Sequence, residues 1–283
     1  MAVLQSSKGI QDGAQARAAA TVIALHCSGA TGAMWRDLAD RLGSDVRLLA
    51  PALYGAVDGP IWPGERAFTL DDEAAPVVAA IDAAEGPVHL VGHSYGGAVA
   101  LQAALVRPRD VASLTLYEPA CFQLLEQADG IEHAEIAWLA KDVAALLARG
   151  DTRGAMKRFV NYWNGRGCWE ALSPDAQAAL LRWAPKAPLD FHALLARPSH
   201  SNSFERLAMP CQILIGESSP APTREIADIL SATMPNCEVM PVDGAGHMGP
   251  LTHAGDVAAR IARHLRSLAP HGASKSSSAE RAA

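Results

Sequence analysis

The run Val88-His89-Leu90-Val91-Gly92-His93-Ser94-Tyr95-Gly96-Gly97 sets a serine between two glycines, after an apolar stretch and before an alanine-rich helical pattern. A sharp strand-to-helix turn needs small residues where Gly92 and Gly96 stand. It would lift the Ser94 hydroxyl free of its neighbours as a nucleophile. The start of the following helix would aim the Tyr95 amide at an oxygen on which negative charge develops. The blander use of such a turn is a Gly-rich loop that binds a phosphate.

A serine nucleophile requires a base. Asp243-Gly244-Ala245-Gly246-His247 follows the last strand-like run, and its glycines would let His247 reach back over the strand ends toward Ser94. His253 falls at the start of the last helical pattern and is expected to face solvent. A tetrahedral intermediate also wants a second N–H donor, and Leu25-His26-Cys27-Ser28-Gly29 follows the first strand-like run, with Ser28 the expected donor. His26, inside the strand end, is expected to hold that loop by hydrogen bonds. In such an assembly Ser94 attacks an acyl carbonyl, His247 takes its proton, and water later releases the acyl group. No metal or organic cofactor is needed, and no ligand cluster for one is visible.

The elements that must carry these residues are legible in the hydrophobic pattern. Strand-like runs at 21–25, 46–50, 88–91 and 111–117 alternate with helical patterns at 33–42, 70–84 and 97–106. That alternation indicates an α/β protein, a parallel sheet covered by helices on both faces. From Cys121 to Arg206 only helical patterns occur, among them 136–149 and 175–184. Strand runs then resume at 211–215 and 238–242, with helices near 223–234 and 256–268. The expected organisation is an α/β core over 20–120 and 207–268, split by a helical cap over 121–206. An N-terminal segment spans 1–19, and the Ser/Ala-rich tail 269–283 is expected to be disordered.

With 49% hydrophobic and 19% charged residues, the 283-residue chain has ample material for a core. Lys and Arg number 24 against 30 Asp and Glu, a net charge of −6 without a basic tract, which argues against nucleic acid or a membrane as partner. The five cysteines form no C-x-x-C pair, so neither a zinc site nor a disulfide framework is indicated. No signal peptide or membrane-length apolar run is read, and a cytoplasmic location is expected.

The pieces Leu25-His26-Cys27-Ser28-Gly29, Val91 to Gly97, Leu114-Thr115-Leu116-Tyr117-Glu118-Pro119 and Gly244-Ala245-Gly246-His247 resemble, in order and spacing, the α/β-hydrolase superfamily over about residues 20–268. The resemblance implies a mostly parallel, doubly wound, eight-stranded sheet with a helical cap inserted after the sixth strand. It also implies a serine hydrolase of the carboxylesterase kind. Cys27 departs from the glycine usual there, and the short N-terminus leaves room for only an abbreviated first hairpin.

The triad acid is the main departure. The family ends its seventh strand in G-x-x-D, but here the chain reads Gly216-Glu217-Ser218-Ser219. Glu118 comes first among the replacements, because superfamily members resembling haloalkane dehalogenases carry their acid at that strand, and Pro119 would turn the chain away behind it. Glu217 lies beside the usual site, though strand alternation can aim it outward. Asp243 suits the turn before His247, and a dyad without an acid stays open. The expected substrate is a small, largely apolar ester or thioester, its pocket lined by Trp138, Trp163 and Met248, although helical tryptophans also serve packing. A carbon–carbon bond hydrolase or a lactonase would use the same Ser–His pair. A ligand-binding protein that retains the fold without turnover is the alternative that the missing acid favours.

Overall fold

Six apolar runs form the strands. They are β1 (Ala20–Leu25), β2 (Val46–Leu49), β3 (Val88–His93), β4 (Val111–Tyr117), β5 (Cys211–Gly216) and β6 (Cys237–Val242). This computed structural model describes residues 19–64, 66–128, 130–196 and 204–268. The expected hairpin (Ala19 apart) and the expected tail lie outside the described residues.

The strands pair in the order β2-β1-β3-β4-β5-β6, and every pairing is parallel. β3 is buried along its whole length, as expected of a parallel strand covered on both faces. One face is covered by α1 (Arg36–Ala39) and by α11 (Ala254–Ser267), whose Val257, Ile261 and Leu265 pack with Val22, Val91 and Leu214. The other carries α2 (Leu70–Asp82), α3 (Tyr95–Val106) and α9 (Ala221–Thr233), with Val77, Val99 and Ile226 against Ile23, Leu90 and Ile213. The short α10 (Gly249–Thr252) precedes α11.

Between β4 and β5 the chain is helical. This insertion holds α4 (Glu132–Ala148), α5 (Thr152–Asn164), α6 (Cys168–Ala171), α7 (Pro174–Trp183) and α8 (Ala187–Leu195). Local sequence sets the starts: Asp151 Oδ1 accepts from Gly154 N at 2.8 Å ahead of α5, and Ser173 Oγ from Ala176 N at 3.2 Å ahead of α7, where Pro174 needs no donor. Ile136, Met156 and Phe191 join the apolar cluster of the core, so the insertion is packed down. Counted from β1 it follows the fourth strand. The sheet of the described residues has six strands where the resemblance implies eight. Among those described, no helix is long and apolar enough to cross a membrane.

Register brings the carboxyl ends of the strands together. Leu25 pairs with Gly92, and His93 with Tyr117, so the loop after β1, Ser94 and Glu118 emerge side by side. The chain leaves β1 toward β2 on one side and has β3 on the other, a switch point where open α/β sheets form a crevice.

Candidate active site

Ser94 sits at the junction of β3 and α3 with φ 52° and ψ −116°, a conformation that non-glycine residues rarely hold. The neighbours over-determine it. Ser94 N donates to Tyr117 O at 2.9 Å, and Ser94 O accepts from Gly97 N, Ala98 N and Ala120 N at 2.9 to 3.1 Å. A Cβ on Gly96 would run into the carbonyls of Leu25 and His26, and one on Gly92 into the backbone of Gly96 and Gly97. These glycines are present for close backbone approach.

His247 lies in the loop after β6, with Nε2 3.0 Å from Ser94 Oγ. Two side chains from the strands hold the loop: Tyr117 Oη donates to Gly246 O at 2.7 Å, and His93 Nε2 lies 2.8 Å from His247 O. Burial, helped by the neighbouring His247, pushes the pKa of His93 well down. It stays neutral and donates through Nε2–H. Trp163 of α5 stacks on the imidazole of His247, ring centroids 4.6 Å apart and planes at 28°.

Glu118 is fully buried, and its Oε2 lies 2.7 Å from His247 Nδ1. Its φ of 46° turns the chain sharply at the end of β4. Gly216 N donates to Oε1 at 2.7 Å, and the Ser219 hydroxyl donates to the same oxygen. Glu217 instead accepts from Gly244 N at 3.0 Å on the exposed side, and Asp243 is exposed. Of the three carboxylates weighed, Glu118 is the one against the imidazole. Hydroxyl, imidazole and carboxylate thus form one line, the geometry needed to draw a proton from Oγ.

The loop after β1 is fixed from several directions. His26 Nε2 accepts from Leu53 N at 3.1 Å while its Nδ1 lies 2.8 Å from Cys27 O, and burial lowers its pKa, so this histidine is a neutral brace. Burial pushes the Cys27 and Cys121 thiols up to about 12, leaving them un-ionised near neutral pH. Ser28 Oγ donates to Asp190 Oδ2 at 3.0 Å.

Ser28, Ser94 and Tyr95 open on a cavity of about 290 Å³ whose other walls are mainly apolar, including Phe122, Phe159, Trp163 and Phe191. The sequence reading of its walls needs two corrections. Trp138 is 66% exposed, because the stripe Ile136, Leu139, Val143 buries the other face of α4. Met248 packs partly buried against the core cluster under α11, outside the pocket lining. Sequence reasoning missed Asp190, which lines the pocket, and the residues that brace the site: His93, Tyr117, Ser219 and Lys186. Among the described residues no three His, Cys, Asp or Glu side chains converge as metal ligands would.

A serine on a sharp strand-to-helix turn of a parallel sheet, with a carboxylate after β4 and a histidine after β6 converging on it, is α/β-hydrolase architecture. The sequence model of the alpha/beta hydrolase family matches residues 22–260, and the chain belongs to this family. Lipase LipV of Mycobacterium tuberculosis is 38% identical over 195 residues, covering 69% of this chain and 64% of LipV, so the chain spans just under two thirds of that relative. A pimeloyl-[acyl-carrier protein] methyl ester esterase of Xanthomonas campestris is 26% identical over 256 residues, 87% of this chain and 95% of the relative. Among solved structures, a hydrolase from Pseudomonas aeruginosa superposes with a TM-score of 0.69 at 20% identity, over 93% of this chain and 97% of that one, a likeness of fold.

Proposed function

We propose that this chain is a serine hydrolase that cleaves a small, largely apolar ester or thioester through an acyl-enzyme on Ser94. The observation that carries the reading is the unbroken line Ser94–His247–Glu118, at 3.0 and 2.7 Å, ending in an aromatic-walled pocket. The names of two relatives, a lipase and a methyl ester esterase, support ester chemistry. The mainly aromatic and aliphatic walls of the pocket favour an apolar acyl group.

In this mechanism His247 Nε2 takes the proton from Ser94 as Oγ adds to the carbonyl carbon. The amides of Ser28 and Tyr95 hold the oxyanion of the tetrahedral intermediate. Both belong to loop or first-turn residues, and a first-turn amide has no helical acceptor of its own. Collapse breaks the bond to the leaving group, which takes the proton from His247. Water then adds to the acyl carbon with His247 again as base, and Ser94 is regenerated. Glu118 holds the imidazole with Nδ1 protonated and balances its positive charge. The insertion over 121–206 acts as a cap on the core of 20–120 and 207–268, placing Trp163 over the histidine.

Fluorophosphonate labelling read by intact mass tests the proposal. The wild type is expected to gain one adduct, Ser94→Ala none, and His247→Ala one only at a greatly reduced rate. A folded wild type that does not label would overturn the reading and favour a ligand-binding protein.

A further inference from the structure

Three ionic side chains lie buried beside the pocket and outside the Ser94–His247–Glu118 line: Glu73 of α2, Lys186 just ahead of α8, and Asp190 of α8, each 5% exposed or less. Lys186 Nζ lies 3.0 Å from Glu73 Oε2 and 2.5 Å from Asp190 Oδ1. It also sits 4.1 Å from the centroid of the Phe68 ring. Burying three charges is unfavourable unless they are tightly paired, and stability alone would be served as well by apolar residues.

What the cluster grips gives it a use. Asp190 Oδ2 accepts from Ser28 Oγ at 3.0 Å, and Glu73 Oε2 accepts from Tyr95 Oη at 2.8 Å. Lys186 Nζ lies 3.3 Å from the same tyrosine oxygen, and Glu73 Oε1 accepts from Tyr54 N at 2.7 Å. Ser28 and Tyr95 are the two residues whose amides would receive the oxyanion. They come from the neighbouring ends of β1 and β3, and the pairing of those strands ends at Leu25 and Gly92, short of both amides. The cluster links their side chains through a single ammonium supplied by the insertion. A second small cavity is also bordered by Ser28, Tyr95 and Asp190, so these contacts form part of the pocket wall.

We propose that Glu73, Lys186 and Asp190 are positioning residues that set the spacing of the oxyanion-binding amides by holding the side chains of Ser28 and Tyr95, with Lys186 as the bridge from the insertion. The inference rests on the serine-hydrolase reading. A donor displaced by a fraction of an ångström still binds substrate and loses force on the transition state, so the deficit belongs in kcat.

The test is steady-state hydrolysis of p-nitrophenyl butyrate by the full chain, normalised to active sites titrated with fluorophosphonate. Ser28→Ala and Tyr95→Phe remove only the gripped hydroxyls and keep both amides. Each is expected to lower kcat by about tenfold with KM within twofold, less than the ~100-fold of losing a donor outright. Ser28→Thr, which restores a hydroxyl, is expected to recover most of the rate. Ser28→Ala combined with Asp190→Asn is expected to cost less than the product of the two single losses, because the changes share the Ser28–Asp190 contact while Asp190→Asn also weakens the pairing with Lys186. Wild-type kcat in both hydroxyl variants, or a loss confined to melting temperature, would overturn the proposal. If Asp190→Asn does not fold, the two hydroxyl variants decide alone. A wild type without turnover or labelling would instead sink the hydrolase reading, and this inference with it.

Discussion

The hydroxyl of Ser219 donates to the Glu118 carboxylate oxygen that does not face His247, so one oxygen is anchored while the other meets the imidazole. With Gly216 N on the same oxygen, the carboxylate is held by two donors from the end of β5. Ser219 stands where the family resemblance implies an aspartate, and here it supports a carboxylate, Glu118, supplied by the neighbouring strand. Ser219→Ala removes one anchor and leaves the other, so a loss of roughly tenfold in kcat is expected, with KM little changed, from the weakened orientation of the base. Steady-state kinetics on a chromogenic ester check it; an unchanged kcat would leave Ser219 with a purely structural part.

Glu118→Gln tests the acid itself. The amide nearly preserves size, but it can offer an N–H to Nδ1 and stabilise the wrong tautomer, and it cannot balance the imidazolium. A fall in kcat of about three to four powers of ten is expected, as for the equivalent change in other Ser–His–acid sites. Circular dichroism and urea unfolding should show a folded protein. Near-normal turnover would remove Glu118 from the mechanism.

Much of this arrangement is legible in the residues, and the illegible parts have physical reasons. The strands are readable because parallel strands bury both faces and appear as short apolar runs ended by Gly or Pro; β4 matches residue for residue. The reading of β3 stops two residues early and that of α3 starts two late, because Gly92 and Gly96-Gly97 look like turn residues in sequence. Here they serve close packing inside regular elements. For the candidate acid the sequence reading ranks Glu118 first among three carboxylates and already gives strand alternation as a reason for Glu217 to aim outward. The positive φ that turns Glu118 toward the imidazole is not encoded in residue type. Trp138 could have been excluded, since Ile136, Leu139 and Val143 mark the buried stripe of α4 and Trp138 falls on the other side. Nothing in the i,i+4 spacing of Lys186 and Asp190 marks them out; only tertiary packing shows that they are buried with Glu73.

The two tryptophans make a paired experiment. Trp163 stacks on His247, lines the pocket and packs parallel to Phe122 at 5.9 Å, so Trp163→Ala opens the wall and frees the imidazole. A stability loss of about 3 kcal/mol is expected from truncating a buried aromatic, with KM raised and kcat lowered. Trp138→Ala, on the exposed face of α4, should stay within about 0.5 kcal/mol of wild type and keep its kinetics. Urea unfolding and kinetics on both variants decide; equal effects would mean that the two faces of the insertion had been assigned wrongly.

Asp190 offers a prediction in pH. Burial raises its carboxyl from the ordinary 3.8 to about 6, against the pull of Lys186 and Ser28 and with Glu73 adding to the rise. The Tyr95 hydroxyl also faces this cluster and stays protonated, its pKa pushed well up by burial and the two carboxylates. Below pH 4 Asp190 is protonated in both folded and unfolded chains, and its full contribution to stability is present. As pH rises through the window from 4 to 6, the unfolded chain releases the proton more readily, and that contribution is lost. A shift of about two units corresponds to ~3 kcal/mol. Wild-type stability, measured against Asp190→Asn by urea unfolding, should therefore fall by up to that amount between pH 4 and 6 and level off above. A difference that stays flat across the window would mean that the ammonium of Lys186 fully offsets the burial of Asp190 and holds it at an ordinary carboxylate value.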